Sequence, residues 1–235
     1  MRKKWYQIVR LILPVLFAFF FTTGLMARNM FFMLIFMGSA LLAGAFYCGW
    51  CCPFGALQEW LNKLGKFLKI PQLKIPPTIE RWLRLSRYIL LGLSSLGFAA
   101  VLFLLSPYGT FYAVLMNNLT YLTRGIIILF GLFLLLSLFI TRPFCRYFCP
   151  EGARYGAVSL GRLFSIRRNG DKCISCGKCN RSCPVQIQVS NKNHVRNSQC
   201  INCFECIAAC PVDGALSYQW VIEKKRKTKE SFENV

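Results

Sequence analysis

Cysteine is the residue with the most chemistry to offer in this chain. Thirteen are present, and eight fall into two runs of one pattern: Cys173, Cys176, Cys179 and Cys183 before Pro184, then Cys200, Cys203, Cys206 and Cys210 before Pro211. In C-x2-C-x2-C-x3-C-P spacing the first three sulfurs wrap one corner of an iron–sulfur cube, and the fourth crosses to the neighbouring cluster. The pattern assigns Cys173, Cys176, Cys179 and Cys210 to one 4Fe-4S cluster, and Cys200, Cys203, Cys206 and Cys183 to a second. Two zinc knuckles are the competing use of these thiols, but zinc sites rarely need four cysteines per run with a proline after the last.

A second duplication has a longer interval. Shifting the sequence by 97 residues superposes Cys48 on Cys145, Cys52 on Cys149, Pro53 on Pro150, Gly55 on Gly152 and Ala56 on Ala153. Two C-x3-C-P loops brought face to face supply four sulfur ligands, so Cys48, Cys52, Cys145 and Cys149 are expected to hold a third metal centre, iron–sulfur or iron. Three duller uses stay open: buried packing thiols, disulfides, or a zinc ion. Cys51 aligns with Phe148, has no mate in the repeat, and reads as a buried thiol.

The elements that must position these residues follow from composition. The chain has 235 residues, 55% of them hydrophobic, with a mean hydropathy of +0.42, more apolar than an ordinary soluble domain. Four apolar stretches, 11–26 (extended by Trp5, Tyr6, Ile8 and Val9), 30–47, 88–106 and 125–141, approach the ~20 residues that span a bilayer. They predict a mainly α membrane protein whose four transmembrane helices form two parallel-repeat hairpins (1–162). A small α+β domain holding two clusters (163–220) and a basic tail (221–235) follow. Between the second and third stretches, Leu57, Trp60, Leu61, Leu64, Phe67 and Leu68 share one helical face, and Lys63, Lys66 and Lys69 lie mostly opposite. That pattern reads as a helix lying along lipid headgroups. The 107–121 loop, with Tyr108, Phe111, Tyr112 and Tyr121, reads as interfacial on the far side.

The net charge of +20 fits topology better than nucleic acid. Lys and Arg crowd the N-terminus, 57–87 and everything after 142, while the other two connections hold only Arg28 and Arg124. The asymmetry predicts a multi-pass protein of the cytoplasmic (inner) membrane, touching membrane lipid, with both termini and the two-cluster domain in the cytoplasm. A reducing compartment also suits the free thiols.

The loops Cys48-Gly-Trp-Cys-Cys52-Pro-Phe-Gly-Ala-Leu-Gln-Glu and Cys145-Arg-Tyr-Phe-Cys149-Pro-Glu-Gly-Ala, ahead of a two-cluster ferredoxin, resemble the membrane polyferredoxins of the NapH/NosR type. NapH is the quinol dehydrogenase subunit of periplasmic nitrate reductase systems, and NosR supplies electrons for nitrous oxide reduction. The likeness runs from the first apolar stretch to about Trp220. It implies four spans and electron exchange with the quinone pool or a flavoprotein among the other subunits of a membrane redox complex. NosR-type proteins carry a flavin domain ahead of the membrane core, and this chain has no room for one, so any flavin is expected on another subunit.

Subtraction narrows the chemistry. A lone histidine, His194, excludes a bis-histidine haem and reads as an exposed loop residue. No Gly-rich phosphate loop and no Ser-His-Asp set is present. Glu151 with Tyr147, or Glu59, are candidates for proton handling at a quinone site, with solvated surface the competing and preferred reading of each; Tyr108 and Tyr112 are an alternative pocket. The expected function is an iron–sulfur electron-transfer subunit of a quinol dehydrogenase-type oxidoreductase. The alternative is a redox-sensing or metal-cofactor assembly ferredoxin.

Overall fold

Proline and glycine punctuate the chain into short helices. The structure, a computed structural model, describes residues 2–22, 30–73, 75–117 and 123–221. The expected connection at 27–29, the end of the aromatic loop at 118–121 and the basic tail from 222 onward lie outside these residues. The larger region comprises α1 (Arg2–Thr22), α2 (Met30–Ala43), α3 (Pro53–Phe67), α4 (Pro77–Leu93), α5 (Ala99–Leu105), α6 (Pro107–Leu115), α7 (Arg124–Phe139), α8 (Pro143–Tyr147) and α9 (Pro150–Val158). Proline opens α3, α4, α6, α8 and α9, where its fixed φ suits the first turn and its missing N–H costs nothing.

The expectation of four membrane-spanning helices is corrected here, and the multi-pass inner-membrane location with its cytoplasmic termini goes with it. Among the described residues no helix is long and apolar enough to cross a membrane. The reasons are local. At 1.5 Å per residue, the 14 residues of α2 and the 16 of α7 reach roughly 21 and 24 Å, short of a ~30 Å hydrocarbon core. α1 carries Arg2, Lys3, Lys4 and Arg10. The 88–106 stretch breaks at Gly97, whose φ of +98° ends the α4 run and leaves α5 only seven residues. Large apolar side chains nevertheless face outward, among them Trp5 and Leu11 on α1, Trp82 on α4 and Ile128 on α7.

α3 also differs from its expected orientation. The buried residues include Gln58, Glu59, Asn62 and Gly65, while Leu64, Phe67 and Leu68 of the apolar stripe are exposed. The helix is turned toward α7 by polar pairing that periodicity cannot reveal. Asn62 Nδ2 donates to Gln72 Oε1 (2.7 Å) and to the Ser137 carbonyl (3.3 Å), and Thr141 Oγ1 donates to Asn62 Oδ1 (2.8 Å). Gly65 permits the approach, since a Cβ there would stand 2.3 Å from the Leu138 carbonyl oxygen. Phe54, Phe133 and Phe144 fill the adjoining core.

The second region is framed by an antiparallel pair, β1 (Phe164–Arg168) and β2 (Leu216–Trp220), with Ile166 opposite Tyr218. Between them lie the two cysteine runs and two single-turn helices, α10 (Lys178–Ser182) and α11 (Glu205–Ala208). Its own core joins Ile166, Val185, Ile187, Val189, Val195 and Leu216 to Cys200 and Cys206. His194 is half-buried rather than exposed: it bridges to Arg167, and its Nδ1 lies 3.3 Å from Ser165 Oγ.

Candidate metal centres

The two C-x3-C-P loops fold alike for a local reason. In each, the second cysteine is the N-cap of a helix that starts at proline, and its sulfur accepts the N–H of the glycine three residues on. Gly55 N donates to Cys52 Sγ at 3.4 Å, and Gly152 N to Cys149 Sγ at 3.2 Å. Both caps also close back five residues, Cys52 N onto the Tyr47 carbonyl (2.9 Å) and Cys149 N onto that of Phe144 (3.0 Å). The Gly55 and Gly152 amides pull these thiols' pKa values down, but burial outweighs them and leaves both raised.

Cys48, Cys52, Cys145 and Cys149 line one cavity. Gln58 Nε2 donates to Cys145 Sγ at 3.5 Å. Burial, followed by neighbouring thiols, pushes the Cys145 thiol up to about 12 and raises Cys48 and Cys149 as well, while Arg142 pulls Cys48 and Cys145 back down. The same wall carries Arg87, Arg142 and Arg146, each only 2% exposed. Arg142 Nη1 donates to the Cys48 carbonyl (2.7 Å), Arg87 Nη2 to that of Gly152 (2.7 Å), and Arg146 pairs with Glu80. Cys51 stands outside this lining, its thiol raised to about 11 by burial and by Cys52.

Tyr108 lines the cavity too, with its hydroxyl 3.3 Å from that of Tyr47. The start of α6 therefore lies beside the cysteines rather than at the far end of the molecule, and the helix packs against α7 and α5. Glu151 is half-buried on the wall and pairs with Arg154 (2.8 Å). Glu59, expected to be solvated, is 6% exposed and accepts from Arg10 and Arg142. Tyr147 is 2% exposed.

In the β1–β2 region a separate pocket is lined by Cys173, Cys176, Cys179 and Cys210, so the last cysteine of the second run stands with the first three of the first. Cys176 is exposed. Cys200, Cys203 and Cys206 are buried and Cys183 is half-buried; Cys200 and Cys206 share one core cluster with Cys183 packed against it, and the Cys206 thiol is raised by burial and then by Cys203, Cys200 and Cys183. The two runs repeat in backbone as well as sequence. Ser175 and Asn202 both have positive φ (54° and 49°), as do Gly177 and Phe204 (67° and 58°), which cap α10 and α11.

Val185, Ser198, Gln199 and Ile201 of this region close the cavity of Cys48, Cys52, Cys145 and Cys149, the site of the expected third centre. Docking is tight. A Cβ on Gly49 would lie 2.1 Å from the Ile201 carbonyl oxygen, and one on Gly156 equally close to that of Ser198. Trp50 Nε1 donates to the Asn202 carbonyl (2.9 Å), and Tyr88 to Ser198 Oγ (2.7 Å). The sequence offered Glu59 only as a proton-handling candidate and the arginines only as part of the basic charge pattern; the signal for their burial was charge set inside or beside apolar sequence, at Arg10, Arg87 and Arg142. Among the described residues no group of three or more His, Cys, Asp or Glu is placed to hold a metal ion.

Comparison with known proteins agrees with this division. A family model described as a 4Fe-4S binding domain matches twice, at residues 25–71 and 123–167, once over each C-x3-C-P loop, and a 4Fe-4S dicluster domain matches residues 165–211. The putative electron transport protein YccM of Escherichia coli is 36% identical over 177 residues, 72% of this chain and 50% of its own length. The regulatory protein NosR of Pseudomonas aeruginosa is 33% identical over 147 residues, 60% of this chain and 20% of its own. The methylamine utilization ferredoxin-type protein MauN of Methylobacillus flagellatus is 31% identical over 153 residues, 61% of this chain and 50% of its own. The chain thus spans half or less of each of these relatives, and no solved structure matches it. On these matches and on its two pairs of cysteine motifs, the chain belongs to the NapH/NosR-type polyferredoxin family of 4Fe-4S electron-transfer proteins.

Proposed function

We propose that the chain is a three-site electron relay. Cys173, Cys176, Cys179 and Cys210 would hold one 4Fe-4S cluster, Cys183, Cys200, Cys203 and Cys206 a second, and Cys48, Cys52, Cys145 and Cys149 a third iron–sulfur centre. Bound clusters supply reversible one-electron chemistry, at potentials that depend on charge, hydrogen bonding and exposure. The observation that carries the reading is the succession of the three cysteine sets. The first includes exposed Cys176. The second is buried next to it in the β1–β2 region, and its Cys183 and Cys200 lie within two residues of Val185 and Ile201, which close the third cavity.

The protein's own residues have separable tasks. Cys52 and Cys149 present sulfur at helix N-termini, and the Gly55 and Gly152 amides donate to it. Arg87, Arg142 and Arg146 fit an anionic occupant of the third cavity, since four thiolates buried without counter-charge are prohibitively costly. That same wall favours a cluster over plain packing thiols, which need no cations. Val185 and Ile201 exclude water from the shared boundary.

At the outer end, Lys172, Lys178 and Arg181 surround the first cysteine run, and all three are exposed. They suit an acidic redox protein, because complementary charge steers encounter. At the inner end the relay would exchange electrons with a quinone or a flavin-bearing subunit. The test is iron and acid-labile sulfide per chain, with EPR, in the wild type and in a Cys48→Ser/Cys145→Ser chain. Two 4Fe-4S clusters account for about eight irons. The relay requires more than that in the wild type, with the excess lost in the variant; equal iron in both would leave a two-cluster ferredoxin and end the reading.

A further inference from the structure

Between the third cavity and the second cysteine set lies a buried chain of alternating charge that no motif accounts for. Glu59 Oε2 accepts from Arg142 Nε (3.0 Å) and Nη2 (2.8 Å) on one side and from Arg10 Nη2 (2.6 Å) on the other. Arg142 then reaches the third cavity: it lines the wall and donates to the carbonyl of Cys48. Gly55 leaves it room, since a Cβ there would press to 2.9 Å of Arg142 Nη1. Arg10 turns the other way. Its Nη1 donates to Glu205 Oε1 (2.7 Å) and its Nε to the Gly49 carbonyl (2.9 Å), and Glu205 sits between Cys203 and Cys206. Arg142, Glu59 and Arg10 are 2%, 6% and 7% exposed, so solvent screens their fields little.

Three elements remote in sequence, α1, α3 and the turn before α8, have thus been brought to one carboxylate. Two guanidiniums sharing a single acid repel each other unless that acid stays charged, and removing one member of such a buried set leaves its partner uncompensated. The geometry points to Glu59 as a positioning residue that holds Arg142 toward the four-cysteine cavity and Arg10 toward the second cysteine set, so that one carboxylate sets the electrostatic environment of two neighbouring redox centres. The inference rests on the three-centre reading and deepens it. Glu59 touches no sulfur. It fixes the distance at which each cation acts, and its own negative charge tempers both.

The consequence is a paired shift in potential. Glu59→Gln keeps the side chain's shape but deletes the negative charge, leaving both guanidiniums less compensated and favouring the reduced, more negative form of each nearby centre. In the iron-loaded full chain, redox titration followed by EPR is expected to show both buried centres easier to reduce. A tenfold change in the reduced-to-oxidised ratio corresponds to about 59 mV for one electron, and the centre at Cys173, Cys176, Cys179 and Cys210 should not move. Glu59→Asp, which restores the charge, should bring both potentials most of the way back.

Glu205→Gln touches Arg10 but not Arg142. It should shift the Cys183, Cys200, Cys203 and Cys206 centre alone, and it gives a decision even if Glu59→Gln fails to load iron. The inference is overturned if Glu59→Gln leaves the four-cysteine potential in place, if it moves all three centres equally, or if Glu205→Gln moves the four-cysteine centre. A wild type with no iron lost on Cys48→Ser/Cys145→Ser removes the third centre itself and both ideas with it; a third centre that is present but indifferent to Glu59 removes only this one.

Discussion

The first cysteine set of the β1–β2 region and the four cysteines of the helical region meet one problem under opposite conditions. In the β1–β2 region the first set has an exposed member, Cys176, and a Cys173 thiol lowered by the Ser175 N–H and Arg168. Water and backbone amides meet most of the charge there. In the helical region the four cysteines line a cavity, burial raises their thiols, and three guanidiniums stand on the wall. The difference teaches that a buried sulfur site must bring its cations with it. Those cations then need an acid of their own, and Glu59 and Glu80 fill that role.

The sharpest way to separate the two regions is at their contact. Gly49→Ala would force a Cβ to 2.1 Å from a backbone oxygen of Ile201, where no rotamer change can relieve it. The expected cost is about 3 kcal/mol or more of docking, at or beyond the top of the usual overpacking range. Because the β1–β2 region has its own core, thermal unfolding should split into two transitions, and iron should fall toward the ferredoxin's share. One unchanged cooperative transition would show that the glycine contact matters little.

Next in size is Arg142→Ala. It strips Glu59 of its bidentate partner and the Cys48 carbonyl of a donor. Breaking a buried pair from one side costs about 3–5 kcal/mol. The effect should concentrate on the helical region: the urea midpoint falls and the four-cysteine site loses iron, while the spectrum of the exposed ferredoxin set is retained. Equal loss from both regions would contradict the division of labour drawn above.

Acid tests the same network without deleting atoms. Burial alone would raise the Glu59 carboxyl, but Arg142, Arg10 and Lys63 outweigh it, and its pKa falls to about 2 from 4.5. A group whose pKa is lowered on folding stabilises the fold fully above its unfolded value and loses that contribution as pH drops toward the folded one. On the order of 3 kcal/mol is therefore present above pH 4.5 and fades between 4.5 and about 2. The difference in urea midpoint between wild type and Glu59→Gln should narrow over that interval. A gap that stays constant down to pH 2 would mean that the carboxylate is not what the arginines hold.

How much of this was legible beforehand depended on sequence distance. The runs Cys173–Cys183 and Cys200–Cys210, and the repeated C-x3-C-P loops, are each written within a dozen residues, where spacing alone shows which residues belong together; the caps that Cys52 and Cys149 form were not read. Glu59 meets Arg10 and Arg142 across 49 and 83 positions, and nothing local announces such a meeting. The apolar stretches misled for a related reason. Hydropathy averages over Gly97 and over the polar face of α3, so it reports neither a break at φ +98° nor a helix whose Gln58, Glu59 and Asn62 point inward. Those three residues are buried and hydrogen-bonded to other elements, and they sit on the face that periodicity had given to solvent.

Lys63 measures the opposite limit of the same network. It reaches Glu59 Oε1 at 3.5 Å from the next turn of α3, but its side chain is 61% exposed. A cation that water already solvates loses little when its acid is removed, and salt screens what remains. Lys63→Ala should cost only about 0.3–0.5 kcal/mol, vanish at high ionic strength and leave both cysteine sites' EPR unchanged. Should it instead rival Arg142→Ala, burial would not be what separates the working cations from the decorative ones, and the contrast between the two regions would have to rest on geometry alone.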